Sequence, residues 1–293
     1  MIDYLTTPVR RVKPSGVVVL ETNNPRPCNI QRSRLNAKGE GRMNVKLSDY
    51  ADRYEKIRFE RTNGVLEVTL HTRGGEAVWG AGERSLHNEL GHAFVDIARD
   101  ADNKVMLLTG TGRSFIAAMD AAERASEPGL AEMWDRIYAE GVALLENLLA
   151  IPVPVIAAVN GPALIHAELA VLSDIVLAAE HAEFADLAHG PTGVVPGDGV
   201  QTVWPMLLGP NRGRYFLLTG QKLSAQEALR LGVVGEVLAA EQLMPRAREL
   251  AHQLAALPRR MLRHTRTILV RDLRRRLRDE IDLGLAVEAL ATL

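Results

Sequence analysis

Three short apolar runs, each followed by a turn-rich segment, most constrain the fold of this chain. They cover residues 104–110, 154–161 and 174–179, and none alternates with polar residues as a half-exposed strand does. Strands that are apolar on both faces are typical of parallel sheets covered by helices. The pattern therefore predicts an α/β fold built from strands that alternate with helices.

The segments around these runs predict a hairpin and several helices. Residues 57–61 and 65–70 alternate around Thr62-Asn-Gly, where Asn-Gly supplies the positive φ angles of a tight turn. The 3.6-residue period of an amphipathic helix runs through residues 85–99 and 131–150. Residues 167–172 predict a short helix, and the chain after Gly199 is predicted to be nearly all helical.

Composition and charge exclude several classes of function. The 35 basic and 36 acidic residues give a net charge of −1, which provides no overall field for nucleic acid or an acidic membrane. The single cysteine, Cys28, excludes an intrachain disulfide and a Cys-rich zinc site. No apolar run reaches the ~20 residues of a membrane-spanning helix, and no secretory signal is recognisable. We therefore expect a cytoplasmic protein with no nucleic-acid or membrane partner.

The first 42 residues differ from the rest of the chain. They hold eight Lys/Arg against three Asp/Glu, four prolines and no sustained period. This composition favours a disordered extension. Two alternatives are a basic arm for a partner and upstream sequence that precedes a start at Met43. The expected organisation is an extension over residues 1–42, a core over residues 43–240 and a helical region over residues 241–293.

Candidate catalytic residues lie in loops that follow the buried strands, where sites of open α/β sheets gather. Residues 160–168 carry His166 and Glu168 at the entry to a helix, where a histidine is equally a capping group or a functional one. Residues 186–199 carry His189 and Asp198, which a turn-rich loop can bring together. A carboxylate on one imidazole nitrogen makes the other a better base. The alternatives are a surface histidine and an Asp198 that caps the next helix.

A histidine–aspartate pair without a side-chain nucleophile would activate water. The sequence has no Gly-x-Ser-x-Gly elbow, and Cys28 lies in the expected extension. It also has no His-Glu-x-x-His zinc motif. We therefore expect chemistry that needs no metal and no cofactor.

Taken together, the motifs resemble the crotonase (enoyl-CoA hydratase/isomerase) superfamily from about Tyr54 to the C terminus. The resemblance implies a β-β-α spiral core, a homotrimer or dimer of trimers, and two backbone N–H groups that hold an enolate oxyanion. The arginine-rich and apolar stretches of residues 259–290 would form the helical trimerisation region. The motifs that carry the resemblance are Leu108-Thr-Gly-Thr-Gly-Arg-Ser-Phe with Asp120, Pro152-Val-Pro-Val-Ile-Ala-Ala-Val-Asn-Gly-Pro-Ala-Leu, Ser173-Asp-Ile-Val-Leu-Ala, Gly193-Val-Val-Pro-Gly-Asp-Gly and Leu218-Thr-Gly-Gln-Lys-Leu-Ser-Ala-Gln-Glu-Ala.

Departures from the CoA-using members point to one branch of this superfamily. Ile165-His-Ala replaces a glycine run, His189 lies where a second glutamate is usual, and Asp198 replaces a small residue. Glu168, in contrast, aligns with a hydratase glutamate. The set resembles the β-diketone hydrolase branch that includes 6-oxocamphor hydrolase. The resemblance maps that branch's site onto His189, Asp198, His166, Trp79, His87 and Glu288.

The branch implies retro-Claisen cleavage of a cyclic, possibly bicyclic, β-diketone to a keto acid. His189, oriented by Asp198, would deprotonate water, and His166 would bind a substrate carbonyl. The Met119 amide would add an oxyanion donor, and Trp79 would wall the pocket unless it is an ordinary core tryptophan. The role of Glu288 is the least defined.

Two other functional classes stay open at this stage. One is a CoA-thioester hydratase or isomerase that uses Glu168 as its acid and base. The other is a non-catalytic member of the superfamily, which requires His189 and Asp198 to lie far apart.

Overall fold

The computed structural model describes residues 45–80, 82, 84–120 and 129–292, so the predicted extension over residues 1–42 lies outside it. The strands are β1 Ile57–Thr62, β2 Val65–Leu70, β3 Val78–Trp79, β4 Val105–Gly110, β5 Ala118–Met119, β6 Val155–Val159, β7 Ile175–Ala179, β8 Glu183–Phe184, β9 Leu223–Ser224 and β10 Glu236–Leu238. The helices are α1 Leu86–Arg99, α2 Leu130–Ala150, α3 Glu168–Val171, α4 Val200–Leu208, α5 Pro210–Thr219, α6 Ala225–Arg230, α7 Ala240–Ala255, α8 Arg259–Leu269 and α9 Arg271–Thr292.

The central sheet has six strands in the order β1-β2-β4-β6-β7-β10. The β1–β2 hairpin is antiparallel, and every later neighbour pair in the order is parallel. The hairpin turns at Asn63 and Gly64, whose φ angles are 53° and 85°, as its Asn-Gly pair predicts. The α/β class and the parallel arrangement predicted from the buried runs are confirmed.

The two faces of the sheet pack into separate cores. Along β4, Met106 and Leu108 contribute to the larger core, whereas Val105 and Leu107 contribute to the smaller one. This division follows from the two-residue period of a strand. The smaller core is covered by α7, whose alanines and Leu243 pack on β2, β4, β6 and β7.

The helices at the larger core form as the periodicity predicts. Ser85 caps α1 and accepts a hydrogen bond from the Asn88 N–H at 3.1 Å. Helix α1 packs on α2, and α9 packs on α2 and α4. Thus α9 lies close to the loop that precedes α4. No helix in the described part of the chain is long and apolar enough to cross a membrane.

A buried arginine joins α8 to the end of α2. The guanidinium of Arg266 is 2% exposed, lies 2.6 Å from Asp174 and donates to the carbonyls of Leu149 and Ile151. These carbonyls lie at the C-terminal end of α2, where a cation is favoured. Arg266 therefore ties α8 to both α2 and the start of β7.

We predict that Arg266→Met lowers the free energy of unfolding by about 3–5 kcal/mol, because Asp174 and the helix-end carbonyls lose their buried partner. Urea unfolding followed by circular dichroism measures this. The control is Arg275→Met, since the Arg275–Asp272 pair is exposed and its loss should leave the midpoint unchanged. Equal midpoints for the two variants would contradict the role of Arg266.

Candidate active site

The site begins where β4 and β6 end side by side. Asn160, after β6, accepts from the Gly110 N–H and donates to the carbonyls of Gly112 and Ser114, each at 3.0 Å. The next residue must be glycine, because a Cβ at Gly161 would overlap the Arg113 carbonyl. The loops after the two strands are thereby held together, as their common sheet edge predicts.

His166 follows these loops in a conformation unusual for a side chain. Its φ angle is +50°, in the left-handed region that glycine adopts most readily. This fits its position where the CoA-using members have glycine. The indole of Trp79 stacks on the imidazole, with ring centroids 4.0 Å apart and planes at 28°. The backbone thus turns His166 against Trp79.

The segment after β8 runs beside the chain that leads to His166. The Ala185 N–H donates to the Ala163 carbonyl at 3.1 Å, and the Leu187 N–H donates to Leu164 at 2.9 Å. This pairing brings His189 to within 5.8 Å of His166, centroid to centroid. His189 is 3% exposed, which contradicts the surface-histidine alternative.

Carboxylates connect the two histidines. Asp198 Oδ2 lies 3.0 Å from His166 Nδ1 and 3.4 Å from His189 Nε2. Glu168 Oε1 lies 2.7 Å from the same His166 nitrogen. His189 and Asp198 are therefore close together, unlike in the non-catalytic alternative, and Asp198 serves both imidazoles.

The other nitrogen of His189 faces an aspartate to which the sequence analysis assigned no role. Asp186 Oδ1 lies 2.6 Å from His189 Nδ1. A carboxylate three residues before a histidine in a loop after a strand is the sequence signal that could have revealed it. Asp198, expected to orient His189 from the far nitrogen, instead lies on the Nε2 side.

Asp198 is not the cap of the following helix. The N-cap of α4 is Gly199, with φ of 109° and no side-chain cap. The Gly199 N–H donates to Gln201 Oε1 at 2.8 Å. The Asp198 side chain is therefore available to the histidines.

Glu288 reaches the cluster from α9. Its Oε1 lies 3.8 Å from His189 Nε2, and its side chain is 7% exposed. Helix α9 approaches closely because Gly284 packs on Gly197, where a Cβ on either would overlap the other's carbonyl. Glu288 follows Gly284 by one helical turn, so this contact sets its depth in the site.

A cavity of about 140 Å³ opens onto the cluster. The β3–β5 pairing, with Trp79 opposite Met119, contributes one side of it. Glu168 lies behind His166, 1% exposed. The polar and aromatic lining residues include Trp79, His87, Trp134, His166, His189, Asp198 and Glu288, with Met119, Met133, Ile137 and Leu285 among the apolar ones.

His87, the third predicted histidine, lines the cavity beside Trp79. Its ring lies 5.2 Å from the Trp79 ring and 6.2 Å from that of His166, centroid to centroid. Its Nδ1 lies 3.3 Å from Glu140 Oε2. His87 is thus farther from His166 than Trp79 is, by centroid distance.

The carboxylates determine the protonation of the histidines. Burial disfavours the imidazolium, yet Glu168 and Asp198 raise the pKa of His166 to about 10. Burial also opposes a charge on His189, but Asp198 and Asp186 hold its pKa well above the usual value. Both imidazoles therefore carry two protons near neutral pH.

The surroundings shift the pKa values of the acidic groups in opposite directions. Burial favours neutral Asp198, but His189 and His166 hold its pKa well below the usual value. Burial, with the charge of Asp198, raises the pKa of Glu288 to about 8. Burial also raises the pKa of Glu168. The cavity thus combines a fixed carboxylate, two imidazolium ions and a neutral carboxylic acid, groups suited to acid–base chemistry.

Comparison with known proteins identifies the family. The model of the enoyl-CoA hydratase/isomerase family matches residues 60–288. The chain belongs to this family. It is 36% identical over 202 residues to carnitinyl-CoA dehydratase of Salmonella typhimurium. The matched region covers 68% of this chain and 74% of the relative.

Two solved structures show the same crotonase-like fold. A β-diketone hydrolase from the cyanobacterium Anabaena sp. PCC 7120, bound to (S)-3-oxocyclohexyl acetic acid, is 46% identical with a TM-score of 0.77, and the match covers 82% of this chain and 94% of that one. An enoyl-CoA hydratase/isomerase from Mycobacterium paratuberculosis is 27% identical with a TM-score of 0.74, covering 81% and 93%.

One group of side chains has the spacing of metal ligands. His166, Glu168 and Asp198 offer atoms within 4.8 Å of one another. However, His166 Nδ1 is within hydrogen-bond distance of Glu168, and the two carboxylates favour an imidazolium despite its burial; an imidazolium does not bind metal.

We predict that exhaustive dialysis against EDTA leaves turnover of the enzyme's substrate unchanged. The reason is that protonated His166 and His189 balance the carboxylate charge of the cluster, so that no metal ion is needed there. Turnover after dialysis, with and without added zinc, measures this. A loss that zinc restores would contradict the prediction.

We predict that kcat/KM rises with pH through an apparent pKa above 6.5. A histidine base must lose its proton before it can accept one from water, and the neighbouring carboxylates raise the pH at which His189 loses it. The value belongs to the coupled cluster rather than to one residue. A profile of kcat/KM from pH 5 to 10 measures it, and a plateau already reached at pH 6 would contradict it.

Proposed function

We propose that this protein hydrolyses a carbon–carbon bond of a cyclic β-diketone by a retro-Claisen reaction. The observation that carries the proposal is the convergence of His189, Asp198 and His166 on one small cavity. In this set His189 is the base and His166 donates a hydrogen bond to a substrate carbonyl. The set contains no side-chain nucleophile, which fits attack by water.

The cavity volume supports a ring-sized substrate. A cavity of ~150 Å³ in another protein binds benzene, so about 140 Å³ suits a six-membered ring. The ligand of the Anabaena hydrolase, (S)-3-oxocyclohexyl acetic acid, has such a ring and a carboxylate. A bicyclic diketone opened by water would give a product of this type.

The reaction begins with water. Deprotonated His189 Nε2 takes a proton from water as the oxygen bonds to one ketone carbon, which gives a tetrahedral oxyanion. General-base help of this kind contributes ~10²–10⁴-fold. Collapse of the oxyanion breaks the bond to the carbon between the carbonyls. The electron pair passes into the second carbonyl and forms an enolate, and the attacked carbon becomes a carboxylic acid.

His166 stabilises the enolate. Its Nδ1 is occupied by Glu168 and Asp198, so the Nε2–H of the imidazolium is left for a substrate oxygen. Trp79 stacks on the ring and fixes its plane. The Met119 amide is proposed as a further donor, since Met119 lines the cavity. Loss of one oxyanion donor typically costs ~10²–10³ in turnover.

Glu288 returns the proton that completes the keto acid. Its pKa of about 8 keeps it protonated at neutral pH, and it faces the cavity beside His189. The enolate carbon takes this proton, and Glu288 recovers one from the imidazolium of His189. The cluster then has its initial number of protons.

The second candidate is a hydratase or isomerase of CoA thioesters. The relationship to carnitinyl-CoA dehydratase, 36% identical over 202 residues, favours it. Against it, Glu168 is 1% exposed and engaged with His166, so it is not placed to contact a thioester.

The assembly and location proposed for the protein follow from its family and surface. We propose a homotrimer or dimer of trimers, because Ile268, Leu269, Leu283 and Leu290 are at least 65% exposed on α8 and α9. We also propose a cytoplasmic enzyme whose partner is the small-molecule diketone.

We predict that the protein opens monocyclic or bicyclic 1,3-diketones to keto acids and leaves crotonyl-CoA unchanged. Mass spectrometry after incubation detects the acids, and absorbance of the thioester reports hydration. Crotonyl-CoA turnover without diketone cleavage would favour the second candidate.

We predict that Asp198→Asn lowers kcat by ~10²-fold or more and changes KM little. The variant removes the charge between the imidazoles and not a substrate contact. The control is Asp100→Asn, a buried aspartate bonded to Tyr50 at the far end of α1, ~20 Å from His87. Wild-type turnover by Asp198→Asn would remove Asp198 from the mechanism.

A further inference from the structure

We propose that Asp186 is a positioning residue that holds the imidazole of His189 with a proton on Nδ1 and the reactive lone pair on Nε2. The proposal deepens the proposed function, since it explains which nitrogen of His189 takes the proton of water. Family resemblance and sequence spacing assigned the orienting role to Asp198, and the geometry points to Asp186.

The distances carry this assignment. Asp186 Oδ1 lies 2.6 Å from His189 Nδ1, and both side chains are 3% exposed. Asp186 Oδ2 has no hydrogen-bond partner among the described residues, so the carboxylate is committed to His189. A buried carboxylate without a charged partner is costly, and the imidazole supplies that partner.

Backbone hydrogen bonds on both sides of Asp186 also hold it in place. Both neighbours in the chain, Ala185 and Leu187, donate to the segment before His166 at 3.1 and 2.9 Å. Asp186 therefore lies on a paired stretch rather than on a free loop. The carboxylate keeps its place while the protonation of His189 changes, as a positioning residue requires.

The acidic side chains near His189 divide between the two nitrogens of its ring. Asp186 occupies Nδ1, while Asp198 and Glu288 lie 3.4 and 3.8 Å from Nε2. The His166 ring stands edge-on at 5.8 Å, with Glu168 beyond it. In the described part of the chain, Asp186 is the acidic side chain at Nδ1, whereas Asp198 and Glu288 lie on the Nε2 side, which faces the cavity.

This division determines the proton path. When neutral His189 donates Nδ1–H to Asp186, the lone pair stands on Nε2. The proton of water moves to Nε2 as the oxygen–carbon bond forms, and Asp186 stabilises the imidazolium without taking its proton. Asn at this position can donate where a carboxylate only accepts, so it favours the opposite tautomer.

The first test is direct and needs no substrate. Nitrogen NMR of protein labelled with ¹⁵N-histidine reports which ring nitrogen carries the proton above the pKa, with His189→Gln identifying the signal. We expect neutral His189 to carry its proton on Nδ1. A proton on Nε2 would overturn the proposal, and this outcome is independent of whether diketones are substrates.

The second test uses Asp186→Asn with Asp100→Asn as the matched buried control. We expect Asp186→Asn to lower kcat ~10²–10⁴-fold and the His189 pKa by about one unit or more. The acid limb of kcat/KM should shift to lower pH by a similar amount. Asp100→Asn should leave the limb and the His189 signal in place, even where it lowers thermal stability.

The outcomes separate the possible failures. Unchanged His189 titration and turnover in Asp186→Asn would show a structural carboxylate only. A shifted His189 pKa in a protein that cleaves no diketone would support the positioning role and refute the proposed function. If Asp186→Asn does not fold, the tautomer of the wild-type protein still decides the matter.

Discussion

The site depends on one carboxylate shared by two imidazoles. Asp198 is 8% exposed and lies within 3.4 Å of a nitrogen of each histidine. A charge this deep requires opposite charge nearby, and the two imidazolium ions supply it. Removing any one of the three would leave the others with unbalanced charge. The histidines, their tautomers and their proton affinities are therefore a single electrostatic unit.

Hydrogen bonds between loops, rather than further strands of the sheet, hold this unit in position. Asn160 joins the segments after β4 and β6, and the segment after β8 pairs beside His166. These hydrogen bonds connect residues that are far apart in the chain. The sheet supplies a rigid edge, and the paired loops set the distances between functional groups.

Much of this architecture could be predicted from the sequence, because burial and period are local signals. The Asn63-Gly64 turn, the Ser85 cap and the apolar strands all follow from residues within one element. The convergence of His166 and His189 was predictable from their loops after strands. The resemblance to a known branch supplied Glu288, ninety residues beyond Asp198.

Three features escaped because they depend on three-dimensional distances. Spacing showed that Asp198 could reach His189, but not which nitrogen it would face. Asp186 looked like an ordinary loop aspartate until its backbone pairing was known. The close approach of Gly284 to Gly197 also joins distant segments, and the sequence around neither glycine indicates this contact.

The contact between Gly284 and Gly197 has a consequence for how the chain acquires its chemistry. It holds α9 against the segment that contains Asp198, and α9 supplies Leu285 and Glu288 to the lining of the cavity. Burial is the largest cause of the raised pKa of Glu288, so this shift depends on the seating of α9. A side chain larger than hydrogen at either glycine would push the helix outwards and expose the Glu288 carboxyl group to water, where it ionises at neutral pH. A contact between two residues that carry no chemistry therefore decides whether the site has a proton to give.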